Sequence, residues 1–209
     1  MIKGIIFDLD GVLVSTDELH YKAWKRLAGE LGITGFTKAD NARQKGVSRM
    51  DSLEIVLEKG NKTYSSAEKL TLAERKNNYY IELLRDLTDE AVLAGVPETL
   101  NMLKNKGLLI GVGSVSRNTP LILKKTGLEG FIDQVSCGLD ITKSKPDPEV
   151  FLVAADKLGL LPQDCLVVED SSAGIIAAKA GNMKSLGVGP EYKQLGADYE
   201  APSLQGKID

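Results

Sequence analysis

Two acidic pairs carry the first chemical signal in this sequence: Asp8 and Asp10 in Phe7-Asp8-Leu9-Asp10-Gly11, and Glu169-Asp170. In extended chain, side chains two residues apart face the same way, so Asp8 and Asp10 share a side. Each pair closes a short apolar run, residues 2–9 and 165–168. Carboxylates crowded at the ends of buried strands repel one another unless a cation or a proton intervenes. One such end reads equally well as an N-cap, a turn former or an exposed loop charge. Two in one sheet favour convergence, and gathered hard oxygens suit Mg²⁺. Asp8, Glu169 and Asp170 bring three negatives, the metal returns two, and one Lys completes the balance. Lys145 is the candidate, held extended by Pro146 ahead of the next helix. Ser114 closes a third apolar run, residues 108–113, and offers a hydroxyl to the same place.

The elements that must position these groups alternate. Near-continuous apolar runs at 2–9, 108–113, 165–168 and 185–188 suit strands buried on both faces of a parallel sheet. Between them lie amphipathic helical patterns: 97–107 opened by Pro97 and Glu98, 151–158 behind Asp147 as N-cap and Pro148 as first helical residue, and 172–180 closed by Gly181. Strand–helix alternation of this kind predicts an α/β, doubly wound, mostly parallel sheet, with the site beyond the carboxyl ends of its strands. Residues 17–31, 51–59 and 67–87 are helical without a convincing strand among them. They predict an all-helical insertion standing over the site as a lid. The core domain is then 1–15 and 88–209, and the cap domain 16–87.

Composition narrows the function class. Lys and Arg number 26 against 29 Asp and Glu, a net charge of −3 over 209 residues, which argues against a nucleic-acid partner. Two Cys are too few for a disulfide framework and read as reduced and buried. The opening apolar run is too short for a signal peptide, and nothing approaches a membrane span, so a cytoplasmic globule is expected. No G-x-x-x-x-G-K-[ST] stretch exists, which removes a P-loop kinase.

Several lid residues carry a second signal. His20 falls on the apolar face with Trp24, Leu27 and Leu31, as a satisfied core residue or a cleft group. Lys76 lies on the stripe of Ala73, Tyr80, Leu83, Leu84 and Leu87, and either snorkels outward or reaches into the cleft. Arg49 follows Ser48, which reads as an N-cap with Asp51 three residues on. A cation at the positive end of a helix suggests an anion site beside free backbone N–H groups, or an exposed side chain pointing away. On the core side, Ser116-Arg117-Asn118 follows Ser114 with further donors, Asn118 reading also as the N-cap of the next helix.

In order and spacing, DLDGVLVSTDELH at 8–20, then Ser114, Lys145 and Glu169-Asp170, resemble the four motifs of the haloacid dehalogenase superfamily of phosphotransferases. The resemblance covers essentially the whole chain. It implies Asp8 as the nucleophile taking a phosphoryl group and Asp10 as general acid/base. It implies Ser114 and Lys145 as the other catalytic groups, and Mg²⁺ held by Asp8, the Asp10 carbonyl, Glu169 and Asp170. His20, Lys45-Gly46-Val47-Ser48-Arg49 and the S-x-S-x-N run through Asn118 are similar, more narrowly, to the hexose-phosphate mutases of that superfamily. This implies interconversion of β-glucose 1-phosphate and glucose 6-phosphate, with β-glucose 1,6-bisphosphate as intermediate and activator. Arg49, Ser116 and Asn118 would hold the non-transferring phosphate, with Lys45 to Ser48 and Arg117 beside them. Lys76 would touch the sugar, and His20 would couple lid closure to the acid/base. The expected partners are small sugar phosphates met by a monomer. The rival readings are a Mg-dependent sugar-phosphate phosphatase on the same scaffold and an inactive phosphate binder, for which intact Asp8 and Asp10 are awkward. A receiver-type signalling domain is the third, and the length, the insertion and the D-x-D spacing count against it.

Overall fold

Alternation along one strand divides the core into two layers. In β1 (Gly4–Phe7), Ile5 and Phe7 pack into one hydrophobic cluster, joined by Leu9 just beyond, while Ile6 enters a second cluster on the opposite face. The same division repeats in β4 (Cys165–Glu169), where Val168 joins the first cluster and Cys165 and Val167 the second. A computed structural model describes residues 1–205; the carboxyl end expected for the core domain, at 209, lies outside the described residues.

With β2 (Leu109–Gly113), β3 (Gln134–Ser136), β5 (Lys184–Gly187) and β6 (Tyr199–Glu200), these strands form one six-stranded parallel sheet ordered β3-β2-β1-β4-β5-β6. The chain moves outward from β1 to β3, then returns to β4 and moves the other way. The reversal between β1 and β4 opens a crevice at their carboxyl ends, the usual ligand position in such sheets. Register places that crevice: Phe7 is level with Val112 of β2 and Val168 of β4, and the Asp8 amide donates to the Val168 carbonyl at 2.9 Å. Asp8, Ser114, Glu169 and Asp170 therefore leave the sheet at one edge.

Helices α5 (Val96–Asn105) and α6 (Thr119–Lys125) cover the Ile5 face, and α7 (Glu149–Lys157) and α8 (Ser172–Ala180) the Ile6 face. The insertion supplies α1 (Asp17–Glu30), α2 (Lys38–Ala42), α3 (Arg49–Leu57) and α4 (Ser66–Leu84). It buries its own cluster around Trp24, Leu27, Phe36, Leu53, Val56 and Ala73. Helix α4 belongs to both layers, because Tyr80 and Leu84 pack into the Ile5-face cluster of the sheet.

The four expected strands are present within one or two residues, and two others went unforeseen. β3 and β6 are short outer strands with little buried surface, so they lack the apolar run that marks a strand covered on both faces. Pro148, expected as the first helical residue of α7, is instead its N-cap, although Asp147 Oδ1 still accepts from the Glu149 amide at 3.0 Å. The pattern at 67–87 overran its helix: α4 ends at Leu84, and Leu87 packs beyond the end. Among the described residues no helix is long and apolar enough to cross a membrane.

Leu53 is fully buried in the helical cluster. Leu53→Ala is expected to cost about 2–5 kcal/mol, read by urea denaturation followed through Trp24, the single Trp of the chain and a member of the same cluster. A loss below about 0.5 kcal/mol would mean that the cluster collapses onto the space left behind.

Candidate active site

At the crevice a buried ammonium joins the two acidic strand ends. Lys145 Nζ donates to Asp8 Oδ1 and, at 2.7 Å, to Glu169 Oε1, and lies 4.7 Å from the centre of the Phe151 ring. Burial works against this ammonium, yet Asp8 and Glu169 raise its pKa above the ordinary lysine value. The Asp8 carboxyl is pushed well above the usual range, first by burial and then by Glu169 and Asp170, against the pull of Lys145. Glu169, expected among the metal oxygens, has both of its own engaged inside the protein. Oε1 takes Lys145, and Oε2 accepts from the Ser171 amide at 2.7 Å and the Ser171 hydroxyl at 2.9 Å. Ser171 in turn caps α8 by accepting from the Gly174 amide. Among the described residues no three His, Cys, Asp or Glu side chains converge as a ready-made metal cluster.

Asp10 stands at the foot of the insertion. Thr16 Oγ1 donates to its Oδ1, and Tyr80 Oη donates to Thr16 at 3.1 Å. Burial raises the Asp10 pKa to about 6, against the Thr16 bond and with help from Asp17 and Asp170. Gly11 is next: its φ is +87°, and a Cβ there would lie 2.2 Å from Asp170 Oδ2, so only glycine lets the loop pass this close to the second acidic pair.

One cleft of about 450 Å³ connects this centre to the cap. Asp8, Asp10, Ser114 and Asp170 line it, as do His20, Lys45 to Arg49, Lys76, Ser116, Arg117 and Asn118, while Lys145 and Glu169 lie buried behind Asp8. Ser114 Oγ accepts from the Ser116 amide at 3.2 Å and Ser116 Oγ from the Asn118 amide at 3.3 Å, which fixes the loop after β2 as a short ladder. Asn118 occupies the N-cap position of α6 as expected but makes no capping bond; its Nδ2 donates at 3.0 Å to Asn77 Oδ1 of the cap. Lys45 Nζ bridges to Asp170 Oδ2 at 2.9 Å and to Asp17 at 3.5 Å. Gly46, at φ +72°, passes so close to Ser171 that a Cβ would meet its Oγ at 2.9 Å. Ser48 does cap α3, accepting from the Asp51 amide at 3.0 Å, and the helix begins with Arg49 itself. Arg49 points into the cleft wall, donating at 3.0 Å both to Glu74 and to Asn77. Burial and the nearby Arg117 lower its pKa, against Glu74.

A family model described as haloacid dehalogenase-like hydrolase matches residues 5–188. The chain belongs to the haloacid dehalogenase-like family. Within that family, it is 42% identical over 199 residues to the Beta-phosphoglucomutase of Bacillus subtilis, covering 94% of this chain and 88% of that one. It is 29% identical over 189 residues to a Phosphorylated carbohydrates phosphatase of Thermotoga maritima, covering 88% and 84%. A crystal structure of beta-Phosphoglucomutase from Clostridium difficile superposes with a TM-score of 0.91 at 40% identity, covering 98% of this chain and 92% of that one.

The haloacid dehalogenase-like cleft settles two alternatives left open by periodicity. Lys76 does not snorkel: it is 3% exposed, its Nζ 2.9 Å from His20 Nδ1 and 4.6 and 4.8 Å from the Trp24 and Tyr80 ring centres. His20 is a cleft group, its ring tilted 32° against Tyr80 with centroids 4.0 Å apart. Burial, then Lys76 and Arg49, hold the imidazole pKa well below its usual value, and a Lys76 ammonium can only donate to Nδ1. Several cleft residues escaped the sequence reading, Tyr80, Trp24, Thr16 and Asn77 among them. Tyr80 and Trp24 were visible as stripe residues and read as core only. Thr16 and Asn77 gave no periodic signal, because one sits before its helix and the other off the stripe.

Burial and Arg49 lower the Lys76 pKa to about 7, against Asp10. An unfolded Lys holds its proton up to about 10.4. Between these values the unfolded chain binds more protons, so stability rises with pH across that window. Lys76→Met removes a charge buried at low pH. It is expected to raise the melting temperature of the ligand-free protein by about 2 °C or more at pH 6.5, with the gain shrinking toward pH 9.5. A difference independent of pH would show that Lys76 titrates elsewhere.

Proposed function

We propose that this chain catalyses the β-phosphoglucomutase reaction, interconverting β-glucose 1-phosphate and glucose 6-phosphate. The observation that carries this reading is a pair of anion-binding sets around one cleft, the second formed from both cap and core. Asp8, Lys145 and Ser114 form one; Arg49, Ser116, Arg117 and Asn118 form the other. A hydrolase acting on a monophosphate needs only the first. A mutase whose intermediate is a bisphosphate needs both. Along the same cleft, Asn41 Oδ1 and Gln44 Oε1 are buried acceptors without a partner, suited to sugar hydroxyls.

Asp8 attacks a phosphorus of β-glucose 1,6-bisphosphate through a carboxylate oxygen; the P–O bond to the sugar breaks, the departing sugar oxygen takes a proton from Asp10, and an acyl phosphate remains, splitting one displacement into two. Phospho-Asp8 then passes the group to the 6-hydroxyl of β-glucose 1-phosphate, as Asp10 removes that hydroxyl proton. The β-glucose 1,6-bisphosphate turns around, Asp8 takes the 1-phosphoryl group, and Asp10 returns its proton to the departing oxygen, releasing glucose 6-phosphate. Its pKa near 6 lets Asp10 serve as both acid and base close to neutrality. Lys145 and the Ser114 hydroxyl stabilise charge on the transferring oxygens. Arg49 and Asn118 grip the distal phosphate while the cap excludes water from the waiting anhydride.

The donor set fits Mg²⁺. Asp8 and Asp170 each retain one carboxylate oxygen outside their lysine contacts, and the pKa values of Asp8, Asp10 and Asp170 are all raised by burial and mutual repulsion, a charge excess that a cation relieves. Asp8, Asp170 and the Asp10 carbonyl would hold it, with Glu169 supporting through Ser171 and Lys145. When bound, the metal supplies electrostatic neutralisation of the phosphoryl oxygens, keeping water and phosphate as its other ligands. With two buried free cysteines and free sugar phosphates as substrates, we place the protein in the cytoplasm as a monomer.

Incubation with Mg²⁺, β-glucose 1-phosphate and a trace of the bisphosphate is expected to give glucose 6-phosphate with little free phosphate. Predominant phosphate release would select the phosphatase reading, which the Thermotoga relative favours. Arg49→Ala is expected to lower mutase kcat/KM about 30-fold or more, yet change phosphorylation of Asp8 by acetyl phosphate less than about threefold. Equal loss of both steps would remove Arg49 from the distal subsite.

A further inference from the structure

Asn77 follows Lys76 on α4 and is turned about 100° further round the helix. Lys76 faces the aromatic interior of the cap, and Asn77 faces the core. Its Oδ1 receives two donors at once: Arg49 from the cap and Asn118 from the loop after β2, each at 3.0 Å. The orientation of both amides is determined by the guanidinium. Arg can only donate, so Asn77 presents oxygen to it, and Asn118 must therefore present nitrogen to that same oxygen. A neutral carbonyl thus holds two of the donors assigned to the distal phosphate, one from each side of the cleft. Arg117 contributes further positive charge nearby, since it lowers the Arg49 pKa. Glu74 takes the other Arg49 nitrogen and leaves this one to Asn77.

We propose that Asn77 is a positioning residue for the distal phosphate, a neutral place-holding acceptor that aims Arg49 and Asn118 and fastens cap to core before substrate binds. The proposal rests on the distal-subsite reading above. Neutrality is the working property. Hydrogen bonds to a charged acceptor are roughly twice as strong as those to a neutral one, so a phosphate takes both donors from a carboxamide without displacing an ion pair. A carboxylate at the same position would satisfy the donors too well. An alkyl group would leave them unaimed.

The test uses the full chain and two substitutions. Trp24 is the single Trp of the chain and lines the cleft, so its fluorescence reads binding of inorganic phosphate and of glucose 6-phosphate without turnover. Asn77→Asp is expected to raise the Kd for both ligands and the KM for β-glucose 1-phosphate tenfold or more, with kcat changed less than threefold. Asn77→Ala is expected to raise the same constants three- to tenfold and to increase free phosphate released per glucose 6-phosphate. In an Arg49→Ala background, Asn77→Asp is expected to add less than twofold, because the partner through which it acts is gone. A purely structural Asn77 would shift the melting temperature and leave these constants alone. Dissociation constants within twofold of the parent in both variants would overturn the proposal, as would full additivity with Arg49→Ala. Should Asn77→Asp fail to fold, Asn77→Ala and its combination with Arg49→Ala carry the same decision. A parent protein that makes no glucose 6-phosphate would sink the mutase reading, while the fluorescence titrations would still decide the role of Asn77.

Discussion

The constraint on which the rest depends is electrostatic. Parallel register brings the carboxyl ends of β1 and β4 side by side, and with them Asp8, Glu169 and Asp170. Such a concentration of negative charge in a buried place is tolerable only with compensation. Lys145, 2% exposed, supplies one positive charge from a loop far along the chain. Lys45 supplies another from the cap, through Asp170. The charges left unbalanced are the ones that suit a cation and a phosphoryl group. Asp8 is therefore held in place by the same forces that would make it intolerable alone.

The cap extends this arrangement. Lys45 meets Asp170, Asn77 meets Asn118, and Gly46 passes against Ser171, so two polar contacts and one close backbone approach join the insertion to the sheet around the cleft. Helix α4 connects them mechanically, with its amino-terminal half in the cap cluster and Tyr80 and Leu84 in the cluster beneath. Through Tyr80 and Thr16, the helix that carries Lys76 and Asn77 also reaches Asp10. The polar cap residues Lys76 and Asn77 and the buried carboxyl of Asp10 are thus linked by a single element.

Much of this was legible in sequence because parallel strands and acid-terminated loops leave strong local marks. The strands covered on both faces announced themselves as apolar runs, and the residues that end them are the residues of the crevice. Ser48 as an N-cap and Lys76 on its stripe followed from spacing, and only the packing decided which way Lys76 turns. Illegible were features that depend on a partner distant in the chain. Gln134 and Tyr199 lie in strands defined by their neighbours rather than by burial. Thr16 and Asn77 are polar residues of ordinary type whose significance lies in what faces them across the cleft. Glu169 shows the converse. Its place beside Asp170 suggested a metal oxygen, and the structure engages both its oxygens with Lys145 and Ser171.

Thr16 and Asn118 have one further property in common. Each stands at the N-cap of a helix, α1 and α6, and neither makes the capping bond its side chain is suited to make. A good cap contributes about 0.5–2 kcal/mol, so two helix entrances forgo that contribution to keep Thr16 on Asp10 and Asn118 on Asn77. Attempts to toughen this scaffold against heat would naturally begin at such uncapped entrances. At these two positions a cap and a cleft contact are competing uses of the same side chain, and any gain in endurance there would be drawn from the contacts with Asp10 and Asn77.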